Sequence, residues 1–286
     1  MTPLEVRLQQ AEAAVEGLRD DCGKRIIWAG EPGARTPLVV VYVHGFSASP
    51  MELTPVPERI AAALGANLFM TRLAGHGIDG AAMARATLEA WRDDVREACD
   101  VAAQIGGRVL WMGCSTGGTL ITLGLSDGMA GEGVIFVSPN FGLIRPGQWL
   151  LDAPGVRNWA PKVIGGARSF PTMNEEHARY WTRRYPIEAV FPMSDAVNAV
   201  RGVDLSRIRV PALFFYSRGD LVVSPTTTES VIARWGGRTQ TCRIRCGHGD
   251  DPNSHVITGD ILSPGQTERV VNCALDWAAA EQFAPA

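Results

Sequence analysis

The chain has 286 residues, 46% of them apolar, 7% aromatic and 20% charged, with 31 Gly, 18 Pro and a formal net charge of -3. That is the profile of a soluble globular protein, and the length fits either two ordinary domains or one large α/β domain with an insertion. With 27 Lys+Arg against 30 Asp+Glu, a pI near 6.0 and no basic cluster, the charge pattern of a nucleic-acid or anionic-lipid binder is missing, and nucleic acid is not an expected partner.

The first residues, Met1-Thr-Pro-Leu-Glu-Val-Arg, carry acidic charge early and form no continuous apolar stretch. They do not read as a secretory signal, so a cytoplasmic location is expected. A helical pattern covers 4–19. Short runs rich in Val, Ile, Leu and Phe then alternate with longer segments of helical spacing. Strands are expected at 38–43, 67–73, 108–113, 134–138, 212–216 and 239–246, and helices at 52–64, 88–104, 116–125, 226–235 and 266–280. Several strands are apolar on both faces, which places them in a mostly parallel, doubly wound sheet covered by helices: an α/β fold. The longest apolar run, 38–43, falls far short of the roughly 18 residues a membrane span requires.

One interval breaks the alternation. Between the strand ending at Ser138 and the one starting at Ala212, about seventy residues pass without a convincing buried strand, more than an ordinary crossover uses. Residues 142–205 hold Trp149, Trp159, Phe170, Tyr180, Trp181, Tyr185 and Phe191 and read as short helices broken by Pro and Gly. They are expected to form an inserted lid on a core made of 1–141 and 206–286; an enlarged peripheral loop region is the alternative. The six cysteines, Cys22, Cys99, Cys114, Cys242, Cys246 and Cys273, show neither a CxxC pair nor metal-ligand spacing with histidine, and are expected as reduced thiols. Cys242 and Cys246, on one strand, would lie roughly 13 Å apart, too far for a disulfide.

Gly113-Cys114-Ser115-Thr116-Gly117-Gly118 matches G-x-S-x-G between the apolar Val109-Leu-Trp-Met and the helical Thr119-Leu-Ile-Thr-Leu. This chemistry requires serine in a strained strand-turn-helix elbow, with glycines on both sides so that strand and helix approach closely. A serine hydroxyl is a weak nucleophile until a base takes its proton, and a carboxylate has to hold that base in the right tautomer. Asp220, in Ser217-Arg-Gly-Asp just past the run Pro211-Ala-Leu-Phe-Phe-Tyr, stands after the penultimate strand and is read as that carboxylate rather than as a plain turn former. The loop after the last strand holds His248 and His255, and either can reach the elbow. His255, further along and just ahead of an apolar pair, is the expected base. The strand 38–43 runs into His44-Gly45-Phe46, where the Phe46 N–H, joined by that of Thr116, can serve a developing oxyanion. His44 and His76 are expected to anchor loops, and His177 to be solvated on a charged helical face.

Taken together, the sequence resembles the α/β-hydrolase superfamily, and within it the bacterial carboxylesterases and monoacylglycerol lipases. The matching residues are His44-Gly45-Phe46, Arg72-Leu-Ala-Gly-His-Gly, Gly113-Cys-Ser-Thr-Gly-Gly, Gly219-Asp220 with Val222 and Val223, and Ser254-His255-Val-Ile-Thr; the resemblance runs from about Arg25 through nearly the whole chain. It implies Ser115 as nucleophile, Asp220 and His255 as its partners, Phe46 and Thr116 as oxyanion donors, and a lid after the strand ending near Ser138. It further implies two-step hydrolysis of an ester or acylglycerol through an acyl-enzyme, with no cofactor and no metal. Phe141, Trp149, Trp159 and Trp181 are candidates for the substrate pocket, or equally for the lid's own core. Two features depart from the family pattern: Cys114, where related esterases often carry Tyr, His or Leu, and a Gly- and Asp-rich loop at 247–254. A serine hydrolase acting on a thioester, amide or carbon-carbon bond shares every one of these residues, and a binding protein that kept the fold is the rival outside that class.

Overall fold

Leu38 to Val43 are each exposed by 2% or less, which a strand achieves only with both faces covered. At roughly 1.5–3 kcal/mol per fully buried apolar side chain, such a run outweighs the ordering cost of about 1–2 kcal/mol per residue. In the computed structural model, which describes residues 1–144, 155–163 and 166–283, this run lies in the middle of a sheet.

The chain opens with α1 (Pro3–Ala13), β1 (Arg25–Ile27), β2 (Thr36–Val43), α2 (Val56–Ala63), β3 (Asn67–Met70), α3 (Gly80–Arg85) and α4 (Leu88–Ile105). It continues through β4 (Gly106–Cys114), α5 (Thr116–Ser126), β5 (Gly133–Val137), α6 (Val156–Val163), β6 (Ala167–Ser169), α7 (Glu175–Tyr180), β7 (Arg184–Pro186) and α8 (Phe191–Arg201). It closes with β8 (Ala212–Tyr216), α9 (Pro225–Arg234), β9 (Thr239–Arg243) and α10 (Thr267–Ala280). Seven strands form one sheet in the order β1-β3-β2-β4-β5-β8-β9. All neighbours run parallel except β1, which is antiparallel to β3.

Side chains alternate across the sheet, so each buried strand feeds two cores. Val39, Val41, Trp111, Phe136 and Phe214 pack with Trp91 and Val95 of α4, Leu120 of α5 and Met193, Ala196 and Val200 of α8. Val40, Tyr42, Met112, Ile135 and Phe215 pack with Val56 and Ile60 of α2 and Val270, Ala274 and Trp277 of α10. Helix α4 follows from its sequence: Thr87 caps it by accepting the Ala90 N–H at 3.1 Å, and Trp91, Val95, Ala98, Val101, Ala102 and Ile105 recur on one buried stripe. Among the described residues no helix is long and apolar enough to cross a membrane. All six cysteines are free.

Element boundaries depart from the sequence expectation where side chains compete for the backbone. Strand β3 stops at Met70, and the Leu73 N–H instead donates to His44 Nε2 at 3.1 Å. Helix α2 starts at Val56, not at Glu52, because the Glu52 carboxylate is held by Tyr42 and Gly45. Helix α1 ends at Ala13; Gly17 follows in the left-handed region at φ 74°. The short strand β1 and helix α3 lie below the length at which periodicity is readable. Within 142–205, the described residues hold more than helices: β6 and β7, on either side of α7, pair antiparallel, β6 largely exposed and Tyr185 of β7 half-buried against the core. Helix α8 is not peripheral, since its Ala196, Val197 and Val200 are buried, and it serves as a crossover helix between β5 and β8.

Candidate active site

In a parallel sheet the loops leaving the carboxyl ends of the strands gather along one edge, where ligands bind. Val43 is level with Gly113, Cys114 with Val137, and Val137 with Phe215. The loops that follow β2, β4, β5 and β8 therefore leave side by side, carrying His44-Gly45-Phe46, Ser115, Asn140-Phe141 and Asp220.

Ser115 occupies the turn between β4 and α5 at φ 49° and ψ -116°, a strained conformation for a residue with a side chain. Its N–H donates to Val137 O at 3.0 Å, and its carbonyl accepts from Asn140 N–H at 3.0 Å. The turn is this tight because α5 begins against β2: a Cβ on Gly117 would fall on the Val43 carbonyl, far inside contact distance.

His255 Nε2 lies 3.1 Å from Ser115 Oγ, and His255 Nδ1 lies 2.9 Å from Asp220 Oδ2. A carboxylate accepts, so Nδ1–H donates to Asp220 and Nε2 is left to accept the serine hydroxyl proton. Asp220 Oδ1 is held by the N–H groups of Val222 (2.7 Å) and Val223 (2.9 Å). Burial pushes the His255 pKa down, but the Asp220 charge and hydrogen bond, with Asp251 and Glu52 beyond, outweigh it and leave the imidazole above its ordinary value. The serine is 6% exposed and the aspartate 2%, so this line of side chains lies in a largely dry setting. Such a line can draw a proton from the hydroxyl and return it to a leaving group.

The Gly- and Asp-rich loop does not displace the histidine. Asp251 Oδ2 accepts the His255 and Val256 N–H groups at 3.0 and 2.9 Å, and Asp250 accepts from Gly247 and Gly265 N–H. The loop is thereby folded onto itself, and the Leu221 N–H donates to Asn253 O at 2.9 Å, linking it to the Asp220 turn. His248 is exposed.

Beside the serine, His44 is fully buried, with Nδ1 2.8 Å from Gly45 O and Nε2 accepting from Leu73 N–H; it anchors the turn. His76 is also buried, and its Nδ1 lies 3.2 Å from Ala74 O. Among the described residues neither the Phe46 nor the Thr116 N–H donates to a protein acceptor. The Phe46 ring stands edge-on to Tyr185, His76 and Trp91.

Phe141 is buried against Phe136, ring centroids 5.8 Å apart. Trp159 is half-buried beside Val156 and Phe191, and Trp181 is buried. Trp149 lies outside the described residues. His177 corrects the expectation of a solvated side chain: it is 8% exposed, sandwiched by Phe170 and Trp181 at 5.6 and 4.8 Å, with Nδ1 accepting from Met173 N–H. The spacing i, i+4 brings His177 and Trp181 together under α7, while Glu175, Glu176 and Arg179 take the solvent side. Sequence reasoning gave no individual role to Glu52, Asp251 or Tyr185, the last read only as one of the aromatics of 142–205. None lies in a motif, and Glu52 reads as the first turn of a helix.

A mostly parallel sheet whose elbow serine meets a histidine and an aspartate from later loops defines an α/β-hydrolase fold. The alpha/beta hydrolase family model matches residues 40–256, and the chain belongs to that family. It is 27% identical over 242 residues to a thermostable monoacylglycerol lipase of Bacillus sp. (strain H-257), spanning 82% of this chain and 88% of that protein. Its fold is similar to a structure reported for the metagenome-derived lipolytic enzymes LipS and LipT (20% identity, TM-score 0.69, covering 93% of this chain and 99% of that one). It is also similar to the monoacylglycerol lipase of Paleococcus ferrophilus (12% identity, TM-score 0.65, 90% and 98%) and to a soluble variant of the Saccharomyces cerevisiae monoglyceride lipase (14%, TM-score 0.65, 91% of each).

Proposed function

We propose that this protein is a serine hydrolase that cleaves carboxylic esters, of the carboxylesterase or monoacylglycerol lipase type. The observation that carries the reading is the unbroken hydrogen-bonded line from Ser115 Oγ through His255 to Asp220, at 3.1 and 2.9 Å. Membership of the hydrolase family and the relatives named as monoacylglycerol lipases support the ester as the bond attacked.

His255 Nε2 takes the Ser115 proton as Oγ attacks the ester carbonyl. Asp220, fixed by two backbone N–H groups, keeps Nδ1 protonated and stabilises the imidazolium. The tetrahedral oxyanion is received by the N–H groups of Phe46 and Thr116. His255 then protonates the departing alcohol, and a water activated by the same nitrogen releases the acid. The described residues of 142–205 ahead of α8 are proposed to cover this edge as a lid, and Phe141, Trp159 and Trp181, with Trp149, are the aromatic residues proposed to shape the acyl pocket.

Turnover of p-nitrophenyl esters of increasing chain length, with fluorophosphonate labelling, tests the proposal. Labelling is expected in the unmutated protein and not in Ser115→Ala. His255→Ala should lose on the order of 10⁶-fold in kcat, while His248→Ala retains most of it. Labelling without turnover of any ester would move the scissile bond to another carbonyl class; no labelling at all would overturn the reading.

A further inference from the structure

Glu52 is a buried carboxyl group, 3% exposed, that the proton relay does not use. Its Oε2 accepts from the Tyr42 hydroxyl at 2.9 Å and from the Gly45 N–H at 2.7 Å, and the buried Cys114 thiol lies within the field of the same carboxyl group. Gly45 precedes Phe46, and Cys114 precedes Ser115. One side chain therefore holds the turn whose separation from Ser115 sets the distance from the proposed oxyanion donor to the nucleophile. The fit leaves no slack: a Cβ on Gly45 would stand 2.7 Å from Glu52 Oε1 and 3.1 Å from Ser115 Cβ.

The segment bearing Glu52 is pinned from the side of the base. The Asp260 N–H donates to Thr54 O at 2.9 Å, and a Cβ on Gly259 would stand 2.9 Å from Leu53 Cα. Burying a carboxyl group is costly unless its oxygens are satisfied, and here the Tyr42 hydroxyl and the Gly45 N–H converge on it. Burial pushes its pKa up, opposed by the Gly45 and Tyr42 hydrogen bonds.

Resting on the ester-hydrolase reading above, we infer that Glu52 is a positioning residue: by gripping the N–H of Gly45, which is wedged between its carboxyl group and Ser115, it fixes the spacing between the Phe46 N–H and Ser115 Oγ at which the oxyanion is bound. Oxyanion donors act only when already in place, so a small displacement appears in the chemical step rather than in substrate binding.

Steady-state kinetics on p-nitrophenyl butyrate, with thermal melts of each variant, test this. In Glu52→Ala, kcat should fall by roughly ten- to a hundredfold with KM within about twofold, and Glu52→Gln, whose carbonyl can still accept from Gly45 and Tyr42, should recover most of the loss. A purely structural role would lower the melting temperature and leave kcat of the folded fraction unchanged. A folded Glu52→Ala with unaltered kcat, or a Gln variant no better than Ala, overturns the inference. If Glu52→Ala does not fold, Glu52→Asp, one methylene short of the Gly45 N–H, takes its place: the same fall in kcat is expected, and full activity overturns the inference. Hydrogen exchange at the Gly45 amide, measured without substrate, separates this from the activity reading. Protection kept in Glu52→Gln and lost in Ala or Asp supports the grip, and unchanged protection overturns it; an unmutated protein that neither labels nor turns over esters refutes the activity reading instead and removes the catalytic consequence drawn from the grip.

Discussion

The Phe46 ring meets the Tyr185 ring edge to face, with centroids 5.1 Å apart. Phe46 belongs to the turn beside Ser115, and Tyr185 to β7, so this contact joins the proposed oxyanion site to the segment 142–205. The surrounding backbone is held as well. The Thr182 N–H donates to Ser47 O at 2.7 Å, Arg19 Nη1 donates to Trp181 O at 3.1 Å, and a Cβ on Gly80 would stand 2.7 Å from Tyr185 Cα. This part of 142–205 is a fixed wall on the core.

Tyr185→Ala should remove an edge-to-face contact of about 0.5–1.5 kcal/mol and open space next to Phe46. The expected outcome is a changed ratio of kcat/KM between short and long p-nitrophenyl esters, with fluorophosphonate labelling of Ser115 retained. An unchanged chain-length profile would separate Tyr185 from the substrate.

The pH profile follows from the direction of the His255 shift. Only the neutral imidazole can act as base, and its pKa stands above the ordinary 6.5, so kcat/KM should rise with pH through a midpoint above 6.5. Asp220→Asn removes the main upward influence and leaves burial, so the residual activity should titrate at lower pH, with a rate loss on the order of 10⁴-fold. A midpoint at or below 6.5 in the unmutated enzyme would contradict the arrangement.

Gly117→Ala should be among the most damaging single-methyl substitutions, because the added carbon collides with the Val43 carbonyl on the central strand. Overpacking of this kind costs about 1–3 kcal/mol or more, read as a lower urea midpoint at unchanged m-value. Gly30→Ala, with nothing within 4 Å of the added carbon, is the control and should stay within about 0.5 kcal/mol of the unmutated protein.

His76 is expected to make the fold acid-sensitive. Burial lowers its pKa from 6.5 to about 4, so the unfolded chain binds its proton more readily than the folded one. Stability should therefore fall as the pH drops from about 6.5 towards 4, by roughly 3 kcal/mol from this group once both states are protonated. His76→Phe, which keeps an aromatic ring between Phe46 and Trp91, should flatten that part of the melting-temperature profile. An identical slope in the variant would assign the acid sensitivity to other groups.

The elbow could be read from the chain alone because its requirements are local: an apolar run, glycines flanking a serine, then a helical pattern. The buried strands were equally legible, since a strand covered on both faces has no polar residues to disguise it, and Ala212–Tyr216 has the expected bounds. The order of Ser115, Asp220 and His255 along the chain also marked them, although proximity in sequence says nothing of their 3.1 and 2.9 Å contacts. Those distances depend on the level ends of parallel strands and on Asp251 folding the last loop. Glu52, Tyr185 and His177 were beyond reach of the sequence for one physical reason. A lone polar or aromatic residue shows its role only through its tertiary neighbours, and the neighbours that satisfy Glu52 come from β2 and the turn after it. The same holds for Cys114, which departs from the family pattern as a sequence and becomes intelligible only as a thiol set against the buried Glu52 carboxyl group.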